Sequence, residues 1–164
     1  MDSQKGANMK FADFIPSTAI ILDLNAVEKN EVIKEIVEKI KEVFNLSTVK
    51  VNDMVEILMK REKIGSTGIG NGIAVPHAKL DNIDKVVGAF ARSSQGVDFN
   101  AVDGAPVNLI FLILAPSDDP EANLQTLQHI SRTIKQPNFC KFLRNAKNIK
   151  AIVEIFKDAD EQLK

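Results

Sequence analysis

The sequence has very little cysteine and histidine, and this scarcity excludes several kinds of site. Cys140 is the single cysteine, so no disulfide can form within the chain. We expect it to be a small buried thiol rather than a nucleophile, because neither histidine lies near it in sequence. The two histidines, His77 and His129, and the cysteine show no metal-ligand spacing. We therefore predict neither a metal site nor a cofactor.

The chain also lacks a strong charge of one sign and a long hydrophobic run. Its formal net charge of −1 gives no general attraction to nucleic acid or anionic lipid. The longest apolar run, Leu109 to Ala115, is too short to span a bilayer, and residues 1–8 have no apolar signal-peptide core. These features predict a cytoplasmic protein that binds no nucleic acid, does not insert into a membrane and recognises partners through local patches.

Strand and helix patterns alternate along the chain. Residues 1–8 are interpreted as a flexible tail and residues 9–164 as one domain. The hydrophobic patterns predict strands over 19–24, 73–76, 86–91 and 107–115. They predict helices from Asn25 to Phe44, over 52–63, from Leu124 to before Pro137, and near 138–146 and 149–156. Asn25, with Glu28 three residues later, resembles a capping box. The interleaving predicts an α/β fold with helices packed on a mixed sheet.

The segment from Arg61 to Leu80, REKIGSTGIGNGIAVPHAKL, carries most of the chemical information. It contains four glycines that can adopt positive φ and bring backbone N–H groups close to an anion: Gly65, Gly68, Gly70 and Gly72. A P-loop would require Lys and then Ser or Thr where Asn71 and Gly72 stand. A dinucleotide fingerprint fails because Ile73 occupies the third small position. The segment therefore gives little support to nucleotide binding.

His77 is the candidate nucleophile of this segment. A neutral imidazole can accept a phosphoryl group near pH 7 and become phosphohistidine. Such an acceptor needs positive charge or hydrogen-bond donors nearby, and Arg61, the hydroxyls of Ser66 and Thr67 and the glycine amides can supply them. The alternative is that the glycines only form a tight turn and that His77 is an ordinary half-buried histidine.

The segment closely resembles the active-site segment of the type-2 enzyme IIA domains of the bacterial sugar phosphotransferase system. The shared pattern is an arginine, a glycine-rich turn with Ser66-Thr67, and an Ala–aliphatic–Pro-His motif ending at His77. Weaker resemblance covers residues 97–107, 109–116 and 139–146. It implies a mixed five-stranded sheet flanked by helices, a phosphoryl group received on His77 from a small histidine-containing phosphocarrier protein, and Arg61 neutralising that group.

The family usually has a second histidine near the start of the helix after the central strand, and Asn123 stands at the matching position. Asn123 lies on the same helical stripe as Leu127, Ile130 and Ile134, so we expect it to face inward. His129 falls opposite that stripe and is predicted to be a surface residue. The Asn123 amide can hydrogen-bond the His77 ring or a phosphoryl oxygen, but it cannot carry positive charge. Its presence puts onward transfer to a sugar in doubt.

Three functions are compatible with these observations. The segment from Arg61 to Leu80 most resembles the nitrogen-regulatory branch, which predicts a phosphotransferase component whose phosphorylation state regulates target proteins. The fructose and mannitol branches share the fold and the histidine, so a relay of phosphate to a separate IIB transporter subunit is the alternative. A non-catalytic binding module, suggested only by Asn123, is the third. The oligomeric state and the phosphorylated ring nitrogen are left open.

Overall fold

The computed structural model describes residues 9–163, so the predicted tail at residues 1–8 lies outside the described residues. After two short 3-10 turns, the described chain forms these α-helices: α1 (Lys29–Phe44), α2 (Val51–Ile64), α3 (Pro120–Ile134), α4 (Phe139–Asn145) and α5 (Ile149–Gln162). It also forms these strands: β1 (Ile20–Ile21), β2 (Gly68–Gly70), β3 (Ile73–Ala74), β4 (His77–Leu80), β5 (Val87–Val97) and β6 (Val107–Pro116).

The strands form one mixed sheet in the order β1-β5-β6-β3-β2, and β4 also pairs with β6. β6 is antiparallel to β5 and parallel to both β3 and β4. β3 and β4 lie one after the other along the same edge of β6, with Val75 and Pro76 between them. Pro76 has no N–H to donate, but its carbonyl accepts from the Ile113 N–H at 2.9 Å, so the pairing resumes directly at His77.

The core is centred on β6, and the residue pattern explains this position. The run Leu109–Ala115 is buried throughout, as expected for a strand with a helix layer on each face. Phe111 and its cross-strand partner Phe90 join an aromatic cluster with Phe139 of α4 and Phe156 of α5. The residues next to Phe90 and Phe111 in each strand point to the opposite face of the sheet. On that face α1 packs against β5.

The predicted α/β class and mixed sheet are confirmed, while several element boundaries differ. Within residues 9–163 the sheet has six strands rather than five, two of them only two residues long. The predicted capping box at Asn25 is wrong, because α1 begins at Lys29 with Glu28 as its N-cap. The backbone N–H groups of Asn25 and Ala26 donate instead to the Glu35 carboxylate, which reaches back from α1. Among the described helices, none has the length and apolar character needed to cross a membrane.

Candidate functional site

His77 is the first residue of β4, and strand alternation sets the direction of its side chain. Ala78 and Leu80 are buried, whereas His77 is half-buried and Lys79 is exposed. The ring of His77 therefore points away from the face covered by Ala78 and Leu80. Pro76 fixes the backbone φ immediately before it and so restrains its approach.

A single hydrogen bond fixes the tautomer of the His77 ring. Nδ1 lies 2.7 Å from the backbone carbonyl oxygen of Val75. A carbonyl only accepts, so Nδ1 must carry the hydrogen and donate it. Nε2 then holds the free lone pair, and no described residue hydrogen-bonds it. Of the two ring nitrogens, Nε2 is the one prepared to act as a nucleophile.

His77 opens onto a pocket of about 250 Å³ between α2, the β2–β4 segment and α3. The predicted residues Arg61, Ser66 and Thr67 all line this pocket, so the structure brings them together with His77. The rest of the wall is mainly aliphatic. The lining residues are Arg61, Ser66, Thr67, Ile69, Val75, His77, Leu127, Ile130, Ser131 and Ile134.

Arg61 supplies the positive charge of the pocket. It lies in the last turn of α2, where its Nη1 donates to the Gly65 carbonyl at 2.8 Å. That bond satisfies a carbonyl at the helix end and fixes the guanidinium, while its other N–H groups make no hydrogen bond to a described residue. An anion bound beside His77 would therefore meet a charged donor that is already positioned.

The hydroxyls of Ser66 and Thr67 are used within the protein. Ser66 Oγ donates to the Phe99 carbonyl, and Thr67 Oγ1 donates to the buried Glu62 carboxylate. Glu62 also accepts from the Thr67 N–H at 3.2 Å and pairs with Lys29 of α1 at 2.7 Å. These contacts anchor the segment beneath His77. Both hydroxyl hydrogens are thus donated within the protein, and the donor role of the two residues toward a phosphoryl group stays a prediction.

The glycines shape the hairpin rather than the pocket wall. Gly70 and Gly72 have positive φ, with Asn71 also positive, whereas Gly65 has φ 175°, which any residue adopts. Asn71-Gly72 closes the β2–β3 hairpin with the two positive φ values that a type I′ turn requires. None of the four glycines lines the pocket, and the Gly68 N–H already donates to Ser66 Oγ. Their contact with phosphate stays a prediction.

The Asp103 carboxylate ties the hairpin turn to the loop before β6. It accepts from the N–H groups of Ala105 and Asn71, each at 3.0 Å. These two hydrogen bonds hold the pKa of the Asp103 carboxyl below its usual value. The turn therefore has an anionic acceptor that stays charged at neutral pH.

Asn123 lies in the first turn of α3, one turn before Leu127 on the same face, but it is not part of the pocket wall. Its Oδ1 is buried and makes no hydrogen bond with the described residues. Leu124, beside it, is 55% exposed. The predicted inward orientation of Asn123 is thus consistent with the structure, and its contact with His77 or with phosphate stays a prediction.

The prediction that His129 lies on the surface is wrong. Its side chain is buried, and Nε2 lies 2.7 Å from Asp160 Oδ1 of α5. The Asp160 carboxylate also accepts from the Phe11 N–H at 3.1 Å, and the His129 ring packs edge-on against the Phe11 ring. The helix α3 therefore has a second buried face, which carries His129 and lies beside the apolar stripe through Leu127 and Ile130. His129 therefore has a structural role.

Sequence reasoning missed Ser131, which lines the pocket from α3. Its spacing of one turn from Leu127, on the stripe that also contains Asn123, was the signal that could have found it.

Cys140 does not line the pocket. It is half-buried, and burial raises the pKa of its thiol, with the Arg144 charge opposing this effect. Among residues 9–163, no group of potential ligands is arranged to hold a metal ion.

The chain matches a known protein family over most of its length. A family model, described as "Phosphoenolpyruvate-dependent sugar phosphotransferase system, EIIA 2", matches residues 13–159. The chain belongs to this EIIA 2 family. The match includes the pocket and all of the strands and α-helices except the last residues of α5.

Individual relatives within the EIIA 2 family carry both regulatory and sugar-related names. The chain is 34% identical over 147 residues to a nitrogen regulatory protein of Bradyrhizobium diazoefficiens, covering 90% of this chain and 94% of that protein. It is also 34% identical over 153 residues to the fructose-specific EIIABC component of Bacillus subtilis, covering 93% of this chain but 24% of that larger protein. The crystal structure of the nitrogen regulatory protein IIA-Ntr of Neisseria meningitidis superposes with a TM-score of 0.81 at 30% identity, covering 89% and 98% of the two chains.

Proposed function

We propose that this protein is a cytoplasmic phosphocarrier that receives a phosphoryl group on His77 Nε2 from a histidine-containing phosphocarrier protein and regulates partners by its phosphorylation state. The observation that carries the proposal is the hydrogen bond from Nδ1 to the Val75 carbonyl. In the neutral ring, this bond leaves the lone pair on Nε2, and His77 lines the same pocket as Arg61. Family membership and the nitrogen-regulatory relatives support the same conclusion.

The proposed transfer is a direct exchange of one P–N bond for another. The Nε2 lone pair attacks the phosphorus of the donor phosphohistidine as the donor P–N bond breaks, and the bonding electron pair returns to the donor nitrogen. The hydrogen on His77 Nδ1 remains donated to Val75, which stabilises the charge that the ring acquires. The free N–H groups of Arg61 neutralise the phosphoryl oxygens during transfer.

The surface around the pocket supports a protein as the phosphoryl donor. Ile64 is 84% exposed and Ile69 51% exposed, and both lie close to Arg61 in the chain. Ile69 lines the pocket, and we call these two exposed side chains its apolar rim. An apolar rim beside one charged residue, Arg61, is typical of a protein docking surface rather than of a site for a free nucleotide. A phosphocarrier protein can cover this rim while it delivers its phosphoryl group.

A relay of phosphate to a sugar-transporting IIB subunit is the second candidate. Its support is the similarity to the fructose-specific EIIABC component, which covers 93% of this chain. A reconstituted relay that yields sugar phosphate would favour this function. Asn123, which cannot carry the charge of a histidine, favours the regulatory role.

The decisive experiment measures phosphoryl acceptance. The wild-type protein and a His77→Gln variant are incubated with phosphoenolpyruvate and the general donor proteins, and their intact masses are compared. We expect one acid-labile phosphoryl group on the wild type and none on the variant. If the His77→Gln variant also gained a phosphoryl group, the acceptor would be a residue other than His77. No gain from either the sugar-branch or the nitrogen-branch donors would instead favour the non-catalytic binding module.

The regulatory part of the proposal needs a separate measurement. A phosphoryl group adds negative charge and strong acceptor oxygens beside the apolar rim, so it changes which partners can dock there. We expect candidate partners to bind the phosphorylated and unphosphorylated forms with different affinities. Equal affinity of every partner for the two forms would contradict regulation by phosphorylation state.

A further inference from the structure

Three hydroxyl groups lie on the wall of the His77 pocket, and they differ in whether their hydrogens are free. Ser66 donates to the Phe99 carbonyl and Thr67 donates to the Glu62 carboxylate. Ser131, on the α3 side of the pocket, makes no side-chain hydrogen bond with any residue of the described chain. Ser131 therefore has the one hydroxyl of this wall with a hydrogen still available to a bound group.

The other hydroxyl side chains of α3 donate to backbone carbonyls, whereas Ser131 does not. Thr126 Oγ1 donates to the Ala122 carbonyl at 2.8 Å, and Thr133 Oγ1 donates to the Ile130 carbonyl at 2.9 Å. Hydroxyl side chains within a helix commonly turn back to a preceding carbonyl in this way. Ser131 is exposed at the pocket and does not do so.

A phosphoryl group on His77 would be a dianion with three peripheral oxygens. Hydrogen-bond donors on more than one side of the pocket would stabilise it. Arg61 approaches from α2, while Asn123 is not on the pocket wall. On the α3 side, Ser131 is the hydroxyl-bearing member of an otherwise aliphatic set.

We propose that the Ser131 hydroxyl donates a hydrogen bond to an oxygen of the phosphoryl group on His77 Nε2, and so stabilises the phosphorylated state. This inference rests on the proposed function, because it requires His77 to be the acceptor. A hydrogen bond from a neutral hydroxyl to a charged oxygen is stronger than one between neutral groups. The hydroxyl thus acts directly on the transferred group.

The test uses phosphoramidate, a small phosphoryl donor that needs no protein partner. The Nε2 lone pair bonds to phosphorus as the P–N bond of phosphoramidate breaks, and ammonia leaves with that electron pair. At a fixed ratio of phosphoramidate to ammonia, the phosphorylated fraction of the protein, read by intact mass, gives the transfer equilibrium constant. The variants are Ser131→Ala and the shape-matched pair Ser131→Thr and Ser131→Val. Ser47→Ala, at an exposed serine of the loop after α1, is the control.

We expect Ser131→Ala and Ser131→Val to lower the equilibrium constant about tenfold, with Ser131→Thr and Ser47→Ala near the wild type. Thermal unfolding midpoints should remain unchanged, since Ser131 is exposed. Wild-type occupancy in Ser131→Ala would overturn the role of Ser131 and leave the proposed function intact. If the wild type gains no phosphoryl group on His77, the proposed function is overturned and this inference with it.

Discussion

The side chain of Arg61 connects the end of a helix with the chemistry of the pocket. Its bond to the Gly65 carbonyl satisfies an acceptor at the end of α2, and it places the remaining guanidinium N–H groups on the pocket wall beside His77. Because the contact at the helix end and the proposed contact with the phosphoryl group depend on one side chain, a useful substitution must remove the charge while keeping a hydrogen-bond donor for Gly65.

We expect Arg61→Gln to slow phosphoryl acceptance by about a hundredfold, the typical effect of losing one positioned donor of an anionic transition state. The rate is measured as the gain of mass with time in the donor mixture. Lys63→Gln removes an exposed cation of the same helix and should leave the rate unchanged. An Arg61→Gln protein that loads at the wild-type rate, with an unchanged unfolding midpoint, would remove Arg61 from the mechanism.

Cys140 offers a second test at the residue scale. Because burial raises the pKa of its thiol, the reactive thiolate is scarcer at neutral pH than in an exposed cysteine. We expect iodoacetamide to label the folded protein much more slowly at pH 7.5 than the urea-unfolded protein, followed by mass. Equal labelling rates in the two states would contradict the burial of this thiol.

At the scale of elements, the turn of the β2–β3 hairpin supports the segment that leads to His77. Gly72 has φ +77°, and a Cβ added there would lie 2.8 Å from Asn108 Oδ1 and 3.0 Å from Arg144 Nη2. The Gly72 carbonyl in turn accepts from the Asn108 N–H at 2.9 Å. The turn is therefore packed between β6 and α4 and has no room for a side chain.

We expect Gly72→Ala to lower the free energy of unfolding by about 1–3 kcal/mol, since it adds backbone strain and a close contact. Gly65→Ala is the matched control, because Gly65 is extended and has no atom within 4 Å of an added Cβ. That substitution should be neutral or stabilise by up to about 1 kcal/mol. The free energies of unfolding of both variants are measured in urea. Equal changes in the two variants would contradict the predicted strain and close contact at Gly72.

The helix α3 shows how far the sequence could predict the fold and the site. Its existence followed from regular apolar spacing, and β6 followed in the same way from an unbroken apolar run. The apolar stripe, however, faces the partly open pocket, where Leu127 and Ile134 are only half-buried. The more buried face carries Thr126, His129 and Thr133. A polar face becomes buried when its partners come from distant segments, and periodicity alone does not reveal such partners.

The site was predictable to the extent that it is contiguous in sequence. Arg61, Ser66, Thr67 and His77 belong to one segment, and the pocket contains all four. The free hydroxyl of Ser131 depends on α3 packing against that segment. The occupied hydroxyls of Ser66 and Thr67 depend on Phe99 and Glu62, contacts that no local pattern indicates.

At the scale of the whole molecule, Asp160 joins three parts of the chain that are far apart in sequence. It lies on α5, pairs with His129 of α3 and accepts the N–H of Phe11 from the first 3-10 turn. All three residues are buried, and the Phe11 and His129 rings pack against each other. The carboxylate therefore holds the N-terminal segment and two helices together within the core.

We expect Asp160→Ala to reduce the free energy of unfolding by about 2–6 kcal/mol, because it leaves the His129 ring and the Phe11 N–H buried without an acceptor, at about 1–3 kcal/mol each. Asp158→Ala, at an exposed position of the same helix, should change it by less than about 0.5 kcal/mol. Both values come from urea unfolding. A small effect at Asp160 would mean that the buried pair does not stabilise the fold.

The position of β6 in the sheet has a consequence for synthesis on the ribosome. Its pairing partners, β3, β4 and β5, all precede it in the chain, so the centre of the sheet is synthesised before the helices that cover the Phe90 and Phe111 face. Those helices end at Gln162. At 5–20 residues per second, their synthesis takes roughly 2–9 s after that of Pro116. We expect ribosome-associated chaperones to bind nascent chains that end within this stretch.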